Sequence, residues 1–200
     1  MGPTPFYRTL CGTEDFILLF VPPLGGGMEI NMYEKILSRR SIKSYKSDMP
    51  PMELIDRVIN AGLYAANGRG WQSPIVIAVT DKAMRDKLSA LNARIMGVDT
   101  DPFYGAPCVL VVLADKSRPT YIYDGSLAMG NMMLAAHDAG LGSCWIHRAK
   151  EEFESEEGKE ILRSLGIEGD FEGIGNLILG YADGEPKPRA PRNENRVYKI

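Results

Sequence analysis

Two hundred residues are enough for one domain with a substantial core, and a formal net charge of −3 provides no overall attraction to nucleic acid. The three cysteines (Cys11, Cys108, Cys144) form no C-x-x-C pair, and there are only two histidines (His137, His147). These counts exclude the usual zinc and iron–sulfur spacings and a disulfide framework, and they fit a reducing cytoplasm.

Residues 1–27 carry Pro3, Pro5, Pro22, Pro23 and a run of three glycines around one apolar stretch, residues 16–21. Six apolar residues cannot cross a bilayer, and no clear secretory leader is present, so no membrane partner is expected. The segment reads as an extension ahead of a working domain over 28–200. The other reading is a strand-like arm, residues 16–20, that packs on a partner.

Residues 28–39 have helical apolar spacing (Met32, Tyr33, Ile36, Leu37) and end in RRSIKSY, residues 39–45. That run places Arg39, Arg40 and Lys43 beside Ser41, Ser44 and Tyr45. Guanidinium forks at a helix-to-loop junction suit a phosphate dianion, although a basic run is more often a solvated surface. Asp48 and Pro50-Pro51 start a second helix with the stripe Leu54, Ile55, Val58, Ile59 and Leu63. Residues 74–80 (PIVIAVT) and 107–114 (PCVLVVLA) read as buried strands. An amphipathic helix is expected over 81–95 and a long one over 123–139, with Gly140 as its C-cap. A short strand over 143–147 follows, then a charged, exposed helix over 150–165. A core strand over 175–181 precedes a Pro-rich tail with a second basic cluster, Lys187, Arg189 and Arg192.

The helix over 123–139 is apolar on most faces, which implies burial all round. Either it is the central helix of a monomer, or a second subunit covers one side. Burial favours a homodimer in a chain this small.

Several catalytic motifs are excluded. Gly140-Leu141-Gly142 follows a helix and precedes a strand, the wrong order for a dinucleotide fold. No Walker A run and no G-x-S-x-G elbow occurs. Cys144, beside Trp145 and Ile146, reads as a packed core thiol. The acidic pairs at Glu151-Glu152 and at residues 154–157 read as a solvated helix face.

Five segments in order resemble the nitroreductase family of FMN-dependent oxidoreductases: RRSIKSY (39–45), AANGRGWQSP (65–74), FYGAPCVLVV (103–112), NMMLAAHDAGLGSCWIH (131–147) and GIGNLILGYADGEPKPRAPR (173–192). The resemblance implies an α+β homodimer, with a central, mostly antiparallel sheet flanked by helices and FMN at each of two interface sites. By that likeness Arg39, Arg40 and Ser41 hold the FMN phosphate, and Lys43 lies near the ribityl chain or the N1–C2=O edge. Lys187, Arg189 and Arg192 approach the phosphate from the other side. The loop with Asn67, Gly68 and Gln72 serves the flavin of the opposite subunit. Trp145, Ile146, His147 and Arg148 meet the N5–O4 edge through backbone groups.

The chain departs from the family loop pattern, with Gly70 in the place of the usual Asn and Trp71 beside it. Trp71 is either a pocket wall or a core or interface aromatic. Arg148 is either surface or a group that attracts the phosphates of a nicotinamide donor. The implied chemistry is a ping-pong cycle: NADH or NADPH reduces FMN, then a nitroaromatic, quinone or similar small acceptor takes the same face. No side-chain acid or nucleophile is required, and the cofactor carries the chemistry. The alternatives are a flavin-binding or storage protein without turnover, and a dehalogenating or ene-reducing relative.

Overall fold

In the computed structural model, which describes residues 31–200, the sheet is organised around β2 (Cys108–Asp115). Its unbroken apolar run is explained by burial on both faces. Val109, Val111 and Leu113 enter one core with Cys144, Ile146 and Ile178, while Cys108, Leu110 and Val112 enter another with Leu177 and Leu179. On one edge β2 pairs with β1 (Pro74–Val79), on the other with β4 (Phe171–Gly180), and β3 (Gly142–Ile146) pairs with β4. The order is β1-β2-β4-β3 and every ladder is antiparallel, as expected for this α+β class. Val112 pairs with Gly175 but Leu113 with Gly173, so Ile174 is an extra residue, a bulge in β4.

Helices cover both faces. α2 (Met52–Leu63) and α4 (Tyr121–Asp138) bury Ile55, Val58, Met129, Met132 and Ala136 against one. On the other, α3 (Lys82–Met96), α5 (Ala149–Glu154) and α6 (Glu156–Ser164) supply Leu88, Phe153 and Ile161, with Phe103 and Tyr45 from connecting segments. The Asp81 side chain caps α3 by accepting from the Met84 N–H at 2.8 Å, and Gly97 ends that helix left-handed at φ 74°. Asn31 caps α1 (Met32–Ser38) in the same way, accepting from Glu34 N–H at 3.0 Å.

Several expectations are corrected. The helix over 150–165 is two helices. Ser155 is extended (ψ 159°), its hydroxyl accepts from Gly158 N–H at 3.1 Å, and that cap starts α6. Nor is the segment solvated throughout, because Glu152, Phe153 and Ile161 are buried. α4 is not buried all round in a single chain: Ile122, Tyr123 and Leu127 are exposed, and α1 buries no residue. α4 caps on Ala139, with left-handed Gly140 (φ 74°) one position further on. β4 begins at Phe171, four residues before the expected strand. No described helix is long and apolar enough to cross a membrane. Residues 1–27, the first three residues of the expected 28–39 helix and Cys11 lie outside the described residues.

Candidate functional site

The two basic segments meet because the sheet edge draws them together. After α1 the chain turns extended at Arg39 (ψ 138°), and Ser41 then forms a parallel bridge with Ser143 of β3. Ile42 N–H donates to Ser143 C=O at 3.0 Å, Lys46 N–H to Tyr181 C=O at 2.9 Å, and Asp183 N–H to Ser44 C=O at 2.9 Å. The tail leaving β4 is therefore stitched alongside residues 41–46.

Further on, Arg189 Nη2 donates to the Arg39 carbonyl at 3.1 Å. Arg40 Nη1 caps the end of α1, donating to the carbonyls of Ser38 (2.8 Å), Arg39 (3.0 Å) and Leu37 (3.1 Å). Loss of solvent contact, then the charges of Arg40, Arg192 and Arg39, hold Arg189 below the usual guanidinium range. Arg39 Nη1 is buried with no hydrogen-bond partner. An unpaired buried guanidinium nitrogen amid like charges is costly unless an anion occupies the place.

Other residues expected at this site take varied positions. Arg192 turns back to the Ala190 carbonyl at 2.8 Å. Lys187 is exposed and makes no hydrogen bond among the described residues. The Lys43 ammonium lies 5.4 Å from the Tyr104 ring centroid. Cys144 is buried, and burial outweighs Ser41, Lys43 and Arg39 in pushing its thiol up, so it stays a neutral core group. His137 Nε2 lies 2.8 Å from Ser38 Oγ; burial, then the Arg39 charge, lowers its pKa.

A second set of residues forms the loop between α2 and β1. Asp124 of α4 is buried and pins it, accepting from Gly68 N–H (2.9 Å), Ser73 Oγ (2.9 Å) and Thr120 Oγ1 (3.0 Å). Asn67 Oδ1 accepts from Gln72 N–H at 3.0 Å across the turn. Gly68 is required there, because a Cβ would stand 2.2 Å from Thr120 Oγ1. Arg69 and Gln72 both hold positive φ, 52° and 51°. A cavity of about 110 Å³ is lined by Ala65, Asn67, Gln72, Pro74 and Asp124. Trp71 belongs to neither core; the guanidinium groups of Arg69 and Arg118 lie 5.5 Å and 5.6 Å from its ring centroid. Among the described residues, no hydrogen bond joins this loop to the Arg39 cluster. The loop and the Arg39 cluster are thus two separate groups of residues in one chain.

The third set lies beyond β3. Ile146 is buried on the α3/α5 side of the sheet. Trp145 faces the other side: a Cβ on Gly175 would come 2.4 Å from its Nε1, which is buried without a partner. His147 is exposed, and Arg148 is left-handed at φ 79°. Arg148 is not simply surface, because its Nε donates to Asn92 Oδ1 at 2.9 Å. Asn92 Nδ2 in turn donates to the His147 carbonyl at 2.8 Å and to Glu152 Oε1. Asn176 Nδ2 donates to Glu152 Oε2 at 2.8 Å.

Burial pushes the Glu152 carboxyl up to about 7, against the opposing pull of Asn176, Asn92 and Arg148. The sequence reading left this group on a solvated face and did not single out Asn92. The signal was present: Ala149, Glu152 and Phe153 lie at i, i+3, i+4, the inward stripe of α5.

Comparison with known proteins supplies the frame. The model of the Nitroreductase family matches residues 36–100 and 89–181. A Methanothermobacter thermautotrophicus relative, provisionally named an NADH dehydrogenase/NAD(P)H nitroreductase, is 30% identical, with 68% of this chain and 71% of the relative covered. A Bacteroides fragilis nitroreductase structure with bound FMN superposes with TM-score 0.78 at 23% identity, covering 86% of this chain and 99% of that one. An FMN-dependent nitroreductase from Clostridium difficile, 28% identical, gives TM-score 0.69 with 82% and 96% covered.

Proposed function

The chain belongs to the nitroreductase family, and on that premise we propose that it is an FMN-dependent oxidoreductase working as a homodimer. It takes reducing equivalents from NADH or NADPH and passes them to nitroaromatics, quinones or similar small acceptors. The observation that carries this reading is the orphaned, buried Nη1 of Arg39, set among Arg40, Arg189 and Arg192. A phosphate monoester dianion would accept from that nitrogen and relieve the crowding of like charge.

When bound, FMN supplies the two-electron carrier that neither set of side chains provides. Arg39 and Ser41, with Arg40, Arg189 and Arg192, would hold its phosphate, and Lys43 would favour negative charge near the ring's N1 side. Lys187, exposed in the tail, would add positive charge nearby. Residues of the 67–72 loop would reach the flavin of the partner, which accounts for a chain with two unjoined half-sites. The same view explains why the aliphatic and aromatic side chains of α1 (Met32, Tyr33, Ile36) and of α4 (Ile122, Tyr123, Leu127) face outward in a single chain. Because donor and acceptor would use one open face in turn, the cycle is ping-pong and needs no nucleotide-binding domain. A reducing, cytoplasmic setting accords with the free buried thiols Cys108 and Cys144.

The test is optical. Purified protein should be yellow or become so with added FMN, and the flavin band should bleach when NADH or NADPH is added anaerobically. Colour should then return with a quinone or nitroaromatic. Protein that takes up no FMN would end the proposal; FMN that neither nicotinamide reduces would leave only a binding role.

A further inference from the structure

The Asn92–Glu152–Asn176 cluster is buried polar chemistry that the phosphate site does not use. Three elements each contribute one side chain with 0% exposure: Asn92 from α3, Glu152 from α5 and Asn176 from β4. Apolar packing of Leu88, Phe153 and Ile178 already joins those elements. Burying polar groups there costs desolvation that apolar packing would avoid, and Asn176 Oδ1 is left without a partner, so the cluster's distinguishing product is the geometry it fixes.

That geometry converges on one turn. Asn92 spends both ends of its amide there, accepting from Arg148 Nε at 2.9 Å and donating to His147 C=O at 2.8 Å. Between those two contacts Arg148 sits left-handed at φ 79°, a conformation that a residue with a Cβ holds only when its surroundings impose it. Glu152 decides which way round the Asn92 amide lies. Its two oxygens accept from the Nδ2 groups of both Asn92 and Asn176. Ionised, as it is above about pH 7, the carboxylate satisfies two amide donors at once. A glutamine, or the protonated acid, would satisfy one and set its own N–H or O–H group against the other, so the mutant comparison is made at pH 8. The charged groups facing Glu152 are Arg148, which favours its ionised form, and Glu151, which opposes it.

We propose that Asn92 and Glu152 are positioning residues that lock the His147–Arg148 turn in the backbone shape with which it meets the bound flavin. This rests on the flavin reading given above. Neither residue touches the reacting atoms; each acts through the turn. The left-handed residue is the part under strain, so replacing Arg148 with glycine makes the lock dispensable.

The experiment is a double-mutant cycle. Asn92→Ala and Glu152→Gln are each made in the wild-type chain and in Arg148→Gly. Two quantities are read: amide hydrogen exchange across residues 145–150 in the full chain without flavin, and the rate at which NADH reduces the FMN-loaded protein. In the wild-type background, exchange should quicken and flavin reduction should slow, each by about ten-fold, with FMN affinity little changed. In the Arg148→Gly background the same substitutions should change both by less than about two-fold. Equal effects in the two backgrounds, or slowed reduction with unchanged exchange, would overturn the proposal. If Asn92→Ala does not fold, the Glu152→Gln pair decides by the same comparison. Failure of the wild-type chain to bind FMN would refute the flavin reading alone, because the exchange cycle still reports whether the lock exists.

Discussion

Arg189 Nη2 donates to the backbone carbonyl of Arg39 at 3.1 Å, across 150 positions of sequence. The tail is thus anchored on the main chain of the first basic segment, which leaves the Arg39 side chain free to point elsewhere. Removing either guanidinium should therefore weaken anion binding by separate routes. Arg39→Ala deletes a direct charge-assisted donor, worth about 1.5–3 kcal/mol, and should loosen FMN by roughly ten-fold or more. Arg189→Ala removes a charge and releases the tail, and Arg189→Lys should recover only part of the loss, since lysine lacks the planar fork. Titration of flavin fluorescence against each variant measures this. Unchanged affinity for Arg39→Ala would place the phosphate elsewhere.

Asp124 supports a different element, the 67–73 loop. Three donors converge on its buried carboxylate, so Asp124→Ala leaves each without a partner. A loss of about 2–4 kcal/mol is expected, or roughly 4–16 °C in melting temperature for a chain of this size. Limited proteolysis should cut the 67–72 loop in that variant before the rest of the chain.

Glu152 predicts a pH dependence with a definite sign. Its carboxyl titrates near 7 in the folded chain against 4.5 when free. The folded state therefore holds a proton that the unfolded state has already released. The corresponding stabilisation is fully present below about pH 4.5 and is lost as pH rises through about 7, amounting to on the order of 3 kcal/mol. Asp101 works in the opposite direction. Burial raises its pKa, but bonds from Arg85, Ser89 and the N–H groups of Gly105 and Phe103 hold it lower, so its contribution is lost on acidification. Comparing denaturation of wild type and Glu152→Gln from pH 5 to pH 8 isolates the first effect. Parallel curves would mean that Glu152 does not titrate in this range.

The exposed apolar surface of α1 and α4 gives a prediction about assembly. Ile36 is 48% exposed and Leu127 50%. A charge at either position should leave the folded chain soluble and shift it from dimer to monomer in sedimentation. FMN affinity should fall with it, because the 67–72 loop would no longer reach a neighbour. A wild-type chain that sediments as a monomer with full flavin affinity would remove the need for a partner.

Legibility in the sequence followed physical rules that differ from element to element. β2 was clear because burial on both faces leaves a continuous β-branched run. β1 carries a similar run, but as an edge strand it fully buries only Val79, so the expected buried strand there is half-buried. α3 was clear from its amphipathic spacing over 81–95; in the structure Asp81 caps its start and left-handed Gly97 its end. The break at Ser155 was hidden by the charged residues on both sides, which mimic one solvated helix. Glu152 was hidden because its residue type argues for solvent, although its spacing argued for the core. The tail beyond β4 showed only composition; its path depends on the pairing of Tyr45 with Ala182, which no local pattern encodes. The role of Asp124 was missed for a similar reason: Thr120 is its neighbour one helical turn back, but Gly68 and Ser73 lie more than fifty positions away and reach its carboxylate only in the folded chain.

Ile174, the surplus residue in β4, acts at a distance. Its side chain fills the notch left by Gly125 on α4, where a Cβ would stand 2.5 Å from it. Peg and socket stop the helix from sliding along the sheet, and Asp124 is the very next residue. The packing of Ile174 at Gly125 thus bears directly on how α4 presents Asp124 to the 67–73 loop. Deleting Ile174 or filling Gly125 would misplace that loop while leaving every residue that contacts it unaltered.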